Sequence, residues 1–103
     1  MAGAFSCTNN LMKIVWDEHK RIANLQKHGL DFDDVYFFDW DTALITKGHS
    51  NRLKAVGRYD DGTAVVIYAT LGTEATSIIS FRTAGEKERK AFHDSLISDE
   101  TKL

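Results

Sequence analysis

Near its C-terminal end, the chain passes from an apolar strand into a helix with almost no connecting loop. The strand reads Ile78-Ile79-Ser80-Phe81-Arg82-Thr83-Ala84, and Gly85-Glu86-Lys87-Glu88-Arg89 follows it directly. Thr83 is a natural N-cap, and Glu86 stands three residues later, which is the spacing of a capping box. This part of the sequence therefore predicts a strand-to-helix corner.

The polar side chains of this corner are predicted to project together. In strand alternation Ile78, Ser80 and Arg82 share one face, so a hydroxyl group and a guanidinium group lie side by side. The free N–H groups of the helix start would join them in binding an anion. Arg82 either pairs with a nearby acid and fixes the corner or contacts an anionic substrate, and the sequence leaves both interpretations open.

Composition excludes several classes of protein. The 103 residues suffice for one domain, and 43% apolar with 27% charged residues is typical of a globular chain. No apolar run approaches the roughly 18 residues that a membrane-spanning helix needs. Residues 1–11 lack the basic start and long apolar segment of a secretory signal. Because Cys7 is the single cysteine, no internal disulfide can form, and we expect a cytoplasmic protein.

Charge is distributed unevenly, although the formal net charge is only -2. Residues 31–41 contain five aspartates and no basic residue, whereas residues 47–59 contain four lysines or arginines and no acid. A nearly neutral chain can in this way present a basic face to phosphate groups. Either patch could equally bind an oppositely charged protein.

The first half of the sequence predicts a strand and two helices. Residues 13–16 form a strand candidate, and Asp17 caps a helix over residues 18–28. Gly29 ends this helix at the position where a left-handed residue is favoured. A shorter helix is predicted over residues 31–38, where the density of aromatic side chains indicates packing in the core.

Four residues of the first long helix fall on one polar face: Lys20, Asn24, Lys27 and His28. A solvated basic face is the simplest interpretation, and a substrate-binding surface is the alternative. The imidazole of His28 suits proton transfer near neutral pH. It could equally stabilise the helix terminus through the helix dipole.

The second half of the sequence is rich in strands. Strand candidates follow one another at residues 43–46, 52–59, 63–71 and 75–82. We predict an α+β fold in which three to four of these strands form an antiparallel meander, closed by a C-terminal helix over residues 84–97. The domain is predicted to span residues 12–97, with a flexible extension at 1–11 and a tail at 98–103.

Glu88 is unusual because it lies on the inward-facing stripe of the last helix, together with Phe92 and Leu96. A carboxylate at the edge of a core is costly unless it is paired. We expect a partly buried pair with Arg82 that fixes the corner. Glu88 could also orient a catalytic arginine cluster, or act as its base, and these interpretations are compatible.

Three separated segments resemble one family in their order and spacing. They are Val15-Trp16-Asp17-Glu18-His19-Lys20 with Asn24 and Lys27-His28-Gly29, Arg52 with Gly57, and Ile78-Ile79-Ser80-x-Arg82-x-Ala84 with Glu88-Arg89. Over roughly residues 12–92 the chain resembles BrnT, the toxin of a type II toxin–antitoxin pair. The resemblance implies a small fold similar to RelE-type ribonucleases, metal-independent RNA cleavage and arrest of translation. It also implies neutralisation by a BrnA-like antitoxin, through which the complex contacts DNA and represses its own operon.

The chain departs from the family pattern at three positions. Asn51 stands where the family often has an acid, Ser77 where it often has arginine, and Phe92 where it often has tyrosine. If the missing acid or tyrosine transfers a proton in the family, this chain is a weak or inactive copy.

RNA cleavage without a metal needs a base for the 2′-hydroxyl, cations for the crowded phosphorane and an acid for the leaving 5′-oxygen. We predict that Arg52 and Arg82 converge on the scissile phosphate, with His28 or Lys27 nearby. The full predicted set is Arg52, Arg82, His28 and Glu88 as catalytic residues, with Lys20, Lys27, Lys54, Arg58 and Ser80 as substrate-binding residues. Neither a metal nor a cofactor is expected, since no Cys/His cluster has ligand spacing.

A second hypothesis is a non-catalytic module that binds a protein partner and acts as a co-repressor with it. No helix-turn-helix pattern is visible, so any DNA contact is expected to come from the partner. An antitoxin is expected to lay acidic or apolar groups across Arg52, Lys54 and Arg58. Phe37, Phe38 and Trp40 offer a second docking surface, although core packing is expected for at least two of these three side chains.

Overall fold

Short strands and two longer helices account for most of the chain. A computed structural model describes residues 13–101, so the extension predicted at residues 1–11 lies outside the described part. The elements are β1 (Lys13–Trp16), α1 (Glu18–His28), a 3₁₀ helix (Phe32–Phe37), β2 (Leu44–Lys47), β3 (Leu53–Tyr59), β4 (Gly62–Leu71), β5 (Ala75–Thr83) and α2 (Glu86–Thr101). Among these residues, no helix is long and apolar enough to cross a membrane.

The five strands form one mixed sheet in the order β1-β5-β4-β3-β2. Strands β2 to β5 pair antiparallel in sequence order, which confirms the predicted meander. Strand β1 adds to the far edge and pairs parallel with β5, from Lys13 opposite Ala75 to Trp16 opposite Ile78. Sequence periodicity predicted β1 as an element but not its partner, since a parallel pair joins distant segments.

The boundaries of α1 follow the predicted caps. The Asp17 carboxylate accepts a hydrogen bond of 2.8 Å from the backbone N–H of His19. At the other end Gly29 has a φ of 75°, and its N–H donates to the carbonyl of Leu25. The short helix predicted over residues 31–38 is the 3₁₀ helix, and Asp31 is its cap as predicted.

Each face of the sheet carries its own apolar cluster. On one face, residues of the 3₁₀ helix pack against the strands, with Phe32, Val35 and Phe81 fully buried. On the other face, Phe92 of α2 packs against Val56 and Val65.

The aromatic segment at residues 37–40 divides between core and surface. Phe38 is buried, and its ring meets that of Trp40 edge-on at 4.9 Å. Phe37, by contrast, has an exposed fraction of 76%. Two of the three aromatic side chains therefore pack inward, as predicted, and Phe37 alone projects outward.

A β-bulge in β5 corrects the predicted strand alternation. Ile67 pairs with Ser80 while the next residue, Tyr68, pairs with Ile78, so Ile79 is an extra residue on β5. Ile78 consequently lies in the 3₁₀-helix cluster, whereas Ser80 and Arg82 project from the face that α2 covers. The prediction that Ile78 shares a face with these two polar residues is therefore wrong.

The start of α2 lies two residues later than predicted. Thr83 is still part of β5, and the helix begins at Glu86. Glu88, rather than Glu86, reaches back to the helix start, where its carboxylate accepts a hydrogen bond of 2.8 Å from the N–H of Gly85. The helix continues to Thr101, so it includes part of the tail predicted at residues 98–103.

Candidate functional site

An open cavity of about 350 Å³ lies between α1, the bulged part of β5 and the start of β3. It is lined by Lys20, Ala23, Asn24, Lys27, His28, Arg52, Ile79 and Ser80. Five of the nine predicted site residues thus meet here, and none of the described lining residues is acidic. A concave surface with several cationic groups and no carboxylate suits a phosphate-bearing ligand.

Arg52 reaches this cavity from the loop between β2 and β3. Two hydrogen bonds fix its backbone: its carbonyl accepts from the N–H of Gly48 at 2.8 Å, and its own N–H donates to His49 at 3.1 Å. The side chain itself is exposed. A backbone held by two hydrogen bonds therefore presents a solvated guanidinium group to the cavity.

Asn24 holds the α1 wall of the cavity in place. Its amide nitrogen donates to the carbonyls of Phe81 at 2.7 Å and Leu30 at 3.0 Å. Its amide oxygen accepts from the N–H of Phe81 at 3.2 Å and from the hydroxyl of Ser80 at 3.3 Å. Pairing between β1 and β5 stops at Ile78, so the Asn24 amide takes the place of a strand at the edge of β5.

The burial of Asn24 corrects the predicted solvated face of α1. Its exposed fraction is 7%, whereas Lys20 and Lys27 are exposed. Helical periodicity correctly placed these residues on one face but could not show that this face crosses the edge of the sheet. The one indication in the sequence was the place of Asn24 in the family-like segment.

Glu88 is the centre of a second cluster of charges. Arg82 binds it with both terminal nitrogens, at 2.9 Å to Oε1 and 2.8 Å to Oε2, and Lys54 Nζ lies 2.7 Å from Oε2. The hydrogen bonds from Arg82 hold the pKa of Glu88 far below its ordinary value, and those from Gly85 and Lys54 act in the same direction. The same contact raises the pKa of Arg82.

This geometry separates the three roles considered for Glu88: the ion pair, the orienting residue and the base. The predicted ion pair with Arg82 is present. A carboxylate held as an anion by two cations is a poor proton acceptor near neutral pH, so it does not suit the role of general base. Glu88 instead orients Lys54 and Arg82 at the strand-to-helix corner.

The charge cluster borders the cavity without lining it. Lys54, Ile67 and Ser80 form one row across β3, β4 and β5, and the adjacent row ends at Arg82. Arg52 lines the cavity. Arg82 lies in the row beyond Lys54 and Ser80, where it forms an ion pair with Glu88. The two guanidinium groups therefore share a face of the sheet but do not share the pocket, contrary to the prediction.

Arg58 lies apart from the other predicted site residues. It lines a separate hollow with His93 and the turn between β3 and β4, and its guanidinium carbon lies 5.9 Å from the centre of the Phe92 ring. Strand alternation correctly placed Arg58 on the same face as Lys54, but at the opposite end of the strand from Arg52. The structure thus gives no support for a role of Arg58 in the cavity.

The three departures from the family pattern differ in location. Asn51 adjoins Arg52 in the loop. Ser77 lies in β5, between Val15 of β1 and Ala69 of β4. Phe92 of α2 is fully buried against the sheet and is not part of the cavity lining. Within residues 13–101, no group of three or more His, Cys, Asp or Glu side chains could hold a metal ion.

Replacing Glu88 with glutamine should lower the free energy of unfolding by about 2 kcal/mol near neutral pH, because two cations lose their anionic partner in a partly buried site. The pKa of Glu88 is lowered in the folded protein, so its contribution is complete above the ordinary value of 4.5. It is lost as the pH falls below that value toward the folded-state pKa. Urea unfolding of wild type and Glu88→Gln should therefore differ equally at about pH 7 and pH 5, and differ less near pH 3. A gap of the same size at all three pH values would show that the carboxylate charge does not stabilise the fold.

Comparison with known proteins identifies related chains. The family model of the ribonuclease toxin BrnT, of the type II toxin–antitoxin system, matches residues 16–88. The 1.1 Å crystal structure of the Brucella abortus ribonuclease toxin BrnT is similar, with 41% sequence identity and a TM-score of 0.66. The match covers 73% of this chain and 99% of that one. No curated protein sequence matches.

Proposed function

The chain belongs to the BrnT family of ribonuclease toxins from type II toxin–antitoxin systems, and we propose that it cleaves RNA at the cavity around Arg52 without a metal ion. The observation that carries this proposal is the meeting of Arg52, three basic residues of α1 and Ser80 around one concave surface, whose described lining contains no carboxylate. Such a surface would attract an RNA phosphate and stabilise the charge that develops during cleavage.

In the proposed reaction the 2′-oxygen of the substrate attacks the adjacent phosphorus atom. A new P–O bond forms while the bond from phosphorus to the 5′-oxygen breaks, which yields a 2′,3′-cyclic phosphate and a 5′-hydroxyl. Arg52 would neutralise the phosphorane, which carries more negative charge than the ground state. His28 and Lys27 are the candidates for proton transfer, since both line the cavity beside Arg52.

The Glu88 cluster would act on this site from one row away. Lys54 and Arg82 add positive potential on the same face of the sheet, and their bonds to Glu88 limit their movement. Arg82 is thus proposed as a positioning and electrostatic residue rather than as a direct contact of the scissile phosphate. Ser80 would link this cluster to the cavity, since it lies between Lys54 and α1.

At the cellular level, we propose that RNA cleavage by this chain arrests translation. The type II family implies a protein antitoxin as partner. A BrnA-like antitoxin would inhibit by covering Arg52 and Lys54 with acidic or apolar groups. Contact with operator DNA would then come from the antitoxin in the complex.

The direct test is incubation of the purified full chain with single-stranded RNA in the presence of EDTA. We expect shortened RNA with 2′,3′-cyclic phosphate and 5′-hydroxyl ends, and rapid arrest of protein synthesis when the chain is induced without an antitoxin. Intact RNA and continued protein synthesis would contradict the proposal. If the chain then still strengthened repression by its partner, the result would favour the co-repressor hypothesis.

A further inference from the structure

A second hollow adjoins the cavity on the other side of Arg52. Its volume is about 390 Å³, and it is lined by Lys47, Ser50, Asn51, Arg52, Leu53 and Thr70. Arg52 thus belongs to both surfaces and stands at their junction. Lys47 is the last residue of β2 and pairs with Leu53, so it projects from a strand rather than from a free loop.

The chemistry of this hollow resembles that of the first cavity. None of its described lining residues is acidic, and no described carboxylate forms an ion pair with Lys47 or Arg52. Ser50, Asn51 and Thr70 supply hydroxyl and amide groups, which commonly contact phosphate and sugar oxygens. The described lining contains no aromatic ring on which a base could stack.

We propose that this hollow is a second RNA subsite, which binds the backbone phosphate next to the scissile one through Lys47. The inference rests on the proposed function, in which the scissile phosphate lies at Arg52. A strand that passes from the α1 wall across Arg52 to Lys47 meets cationic groups on both sides of the cleavage point. Because the described lining offers polar donors but no stacking surface, the subsite would contact the RNA backbone and would not select a particular base at this position.

The test measures binding separately from cleavage. Fluorescence anisotropy of labelled 2′-O-methyl RNA, which lacks the attacking hydroxyl, would report its binding to the full chain. The RNA would be supplied as a dinucleotide with one phosphate and as a hexanucleotide. Lys47→Gln is expected to weaken hexanucleotide binding by roughly three- to tenfold and to leave dinucleotide binding unchanged. The slope of log K against log salt for the hexanucleotide should become shallower by about 0.7, since one phosphate contact is lost.

Lys87→Gln is the matched control, because it removes the same charge from an exposed lysine of α2 outside both hollows. It should bind both oligonucleotides like the wild type. Equal hexanucleotide affinity and salt slope for Lys47→Gln and wild type would overturn the inference, and would leave Lys47 as a contact for an acidic antitoxin segment. Cleavage of unmodified RNA, measured in parallel, distinguishes this outcome from failure of the proposed function. A wild type that binds neither oligonucleotide would overturn the inference.

Discussion

Arg52→Gln is expected to lower the rate of RNA cleavage by about 100- to 1,000-fold, the usual cost of removing one preorganised charge-stabilising donor. Glutamine keeps a hydrogen-bonding end group but cannot neutralise a phosphorane. Fold stability should change little, because the side chain is exposed and the loop is held by backbone hydrogen bonds of Arg52 that glutamine can also make. Single-turnover cleavage at saturating RNA would measure the effect on the chemical step.

Arg58→Gln is the matched control for this experiment. It removes the same charge from the same face of the sheet, but Arg58 lines a different hollow near His93. We expect at most about a threefold loss of activity, from the weaker overall field. Losses of similar size in both variants would indicate that the basic face acts as a whole and that the cavity at Arg52 is not the site of cleavage.

The elements that sequence could predict are those set by local chemistry. Asp17 and Gly29 fix the ends of α1 through bonds within one helical turn, so their residue types are informative. The pair of Glu88 with Arg82 was also predictable, because a carboxylate on an inward-facing stripe requires a cation and Arg82 is six residues away. Both features join residues that are close in the chain.

The features that sequence could not predict depend on the meeting of distant segments. The extra residue at Ile79 is defined only by the register against β4, and it reversed the predicted face of Ile78. In the same way, the engagement of Arg82 by Lys54 as well as Glu88 needs β3 and α2 in place. Strand periodicity placed the cations of this face together but could not separate those in the cavity from those in the ion-pair cluster.

The Asn24 side chain holds α1 against the edge of β5. Replacing it with leucine should lower the free energy of unfolding by about 3 kcal/mol, because buried carbonyl and N–H groups of Phe81 lose their partners. The cost arises although leucine is similar in size and more apolar. Urea unfolding would measure it, and a variant as stable as the wild type would mean that water satisfies the edge of β5.

Asn24→Asp keeps the hydrogen-bond acceptor of the Asn24 side chain but removes its donor. An aspartate can still accept from the Phe81 N–H, but its carboxylate would face the carbonyls of Phe81 and Leu30, to which the asparagine donates. Protonation restores one donor, so the pKa of the new carboxyl group should be raised in the folded state. The stability deficit of Asn24→Asp relative to wild type should then shrink as the pH falls from about 7 to about 5. Glu88→Gln should show no change over that range, because the pKa of Glu88 is lowered rather than raised. A deficit that shrinks between pH 7 and pH 5 for Asn24→Asp but stays constant for Glu88→Gln would separate the contacts that hold α1 from the ion pair that holds α2.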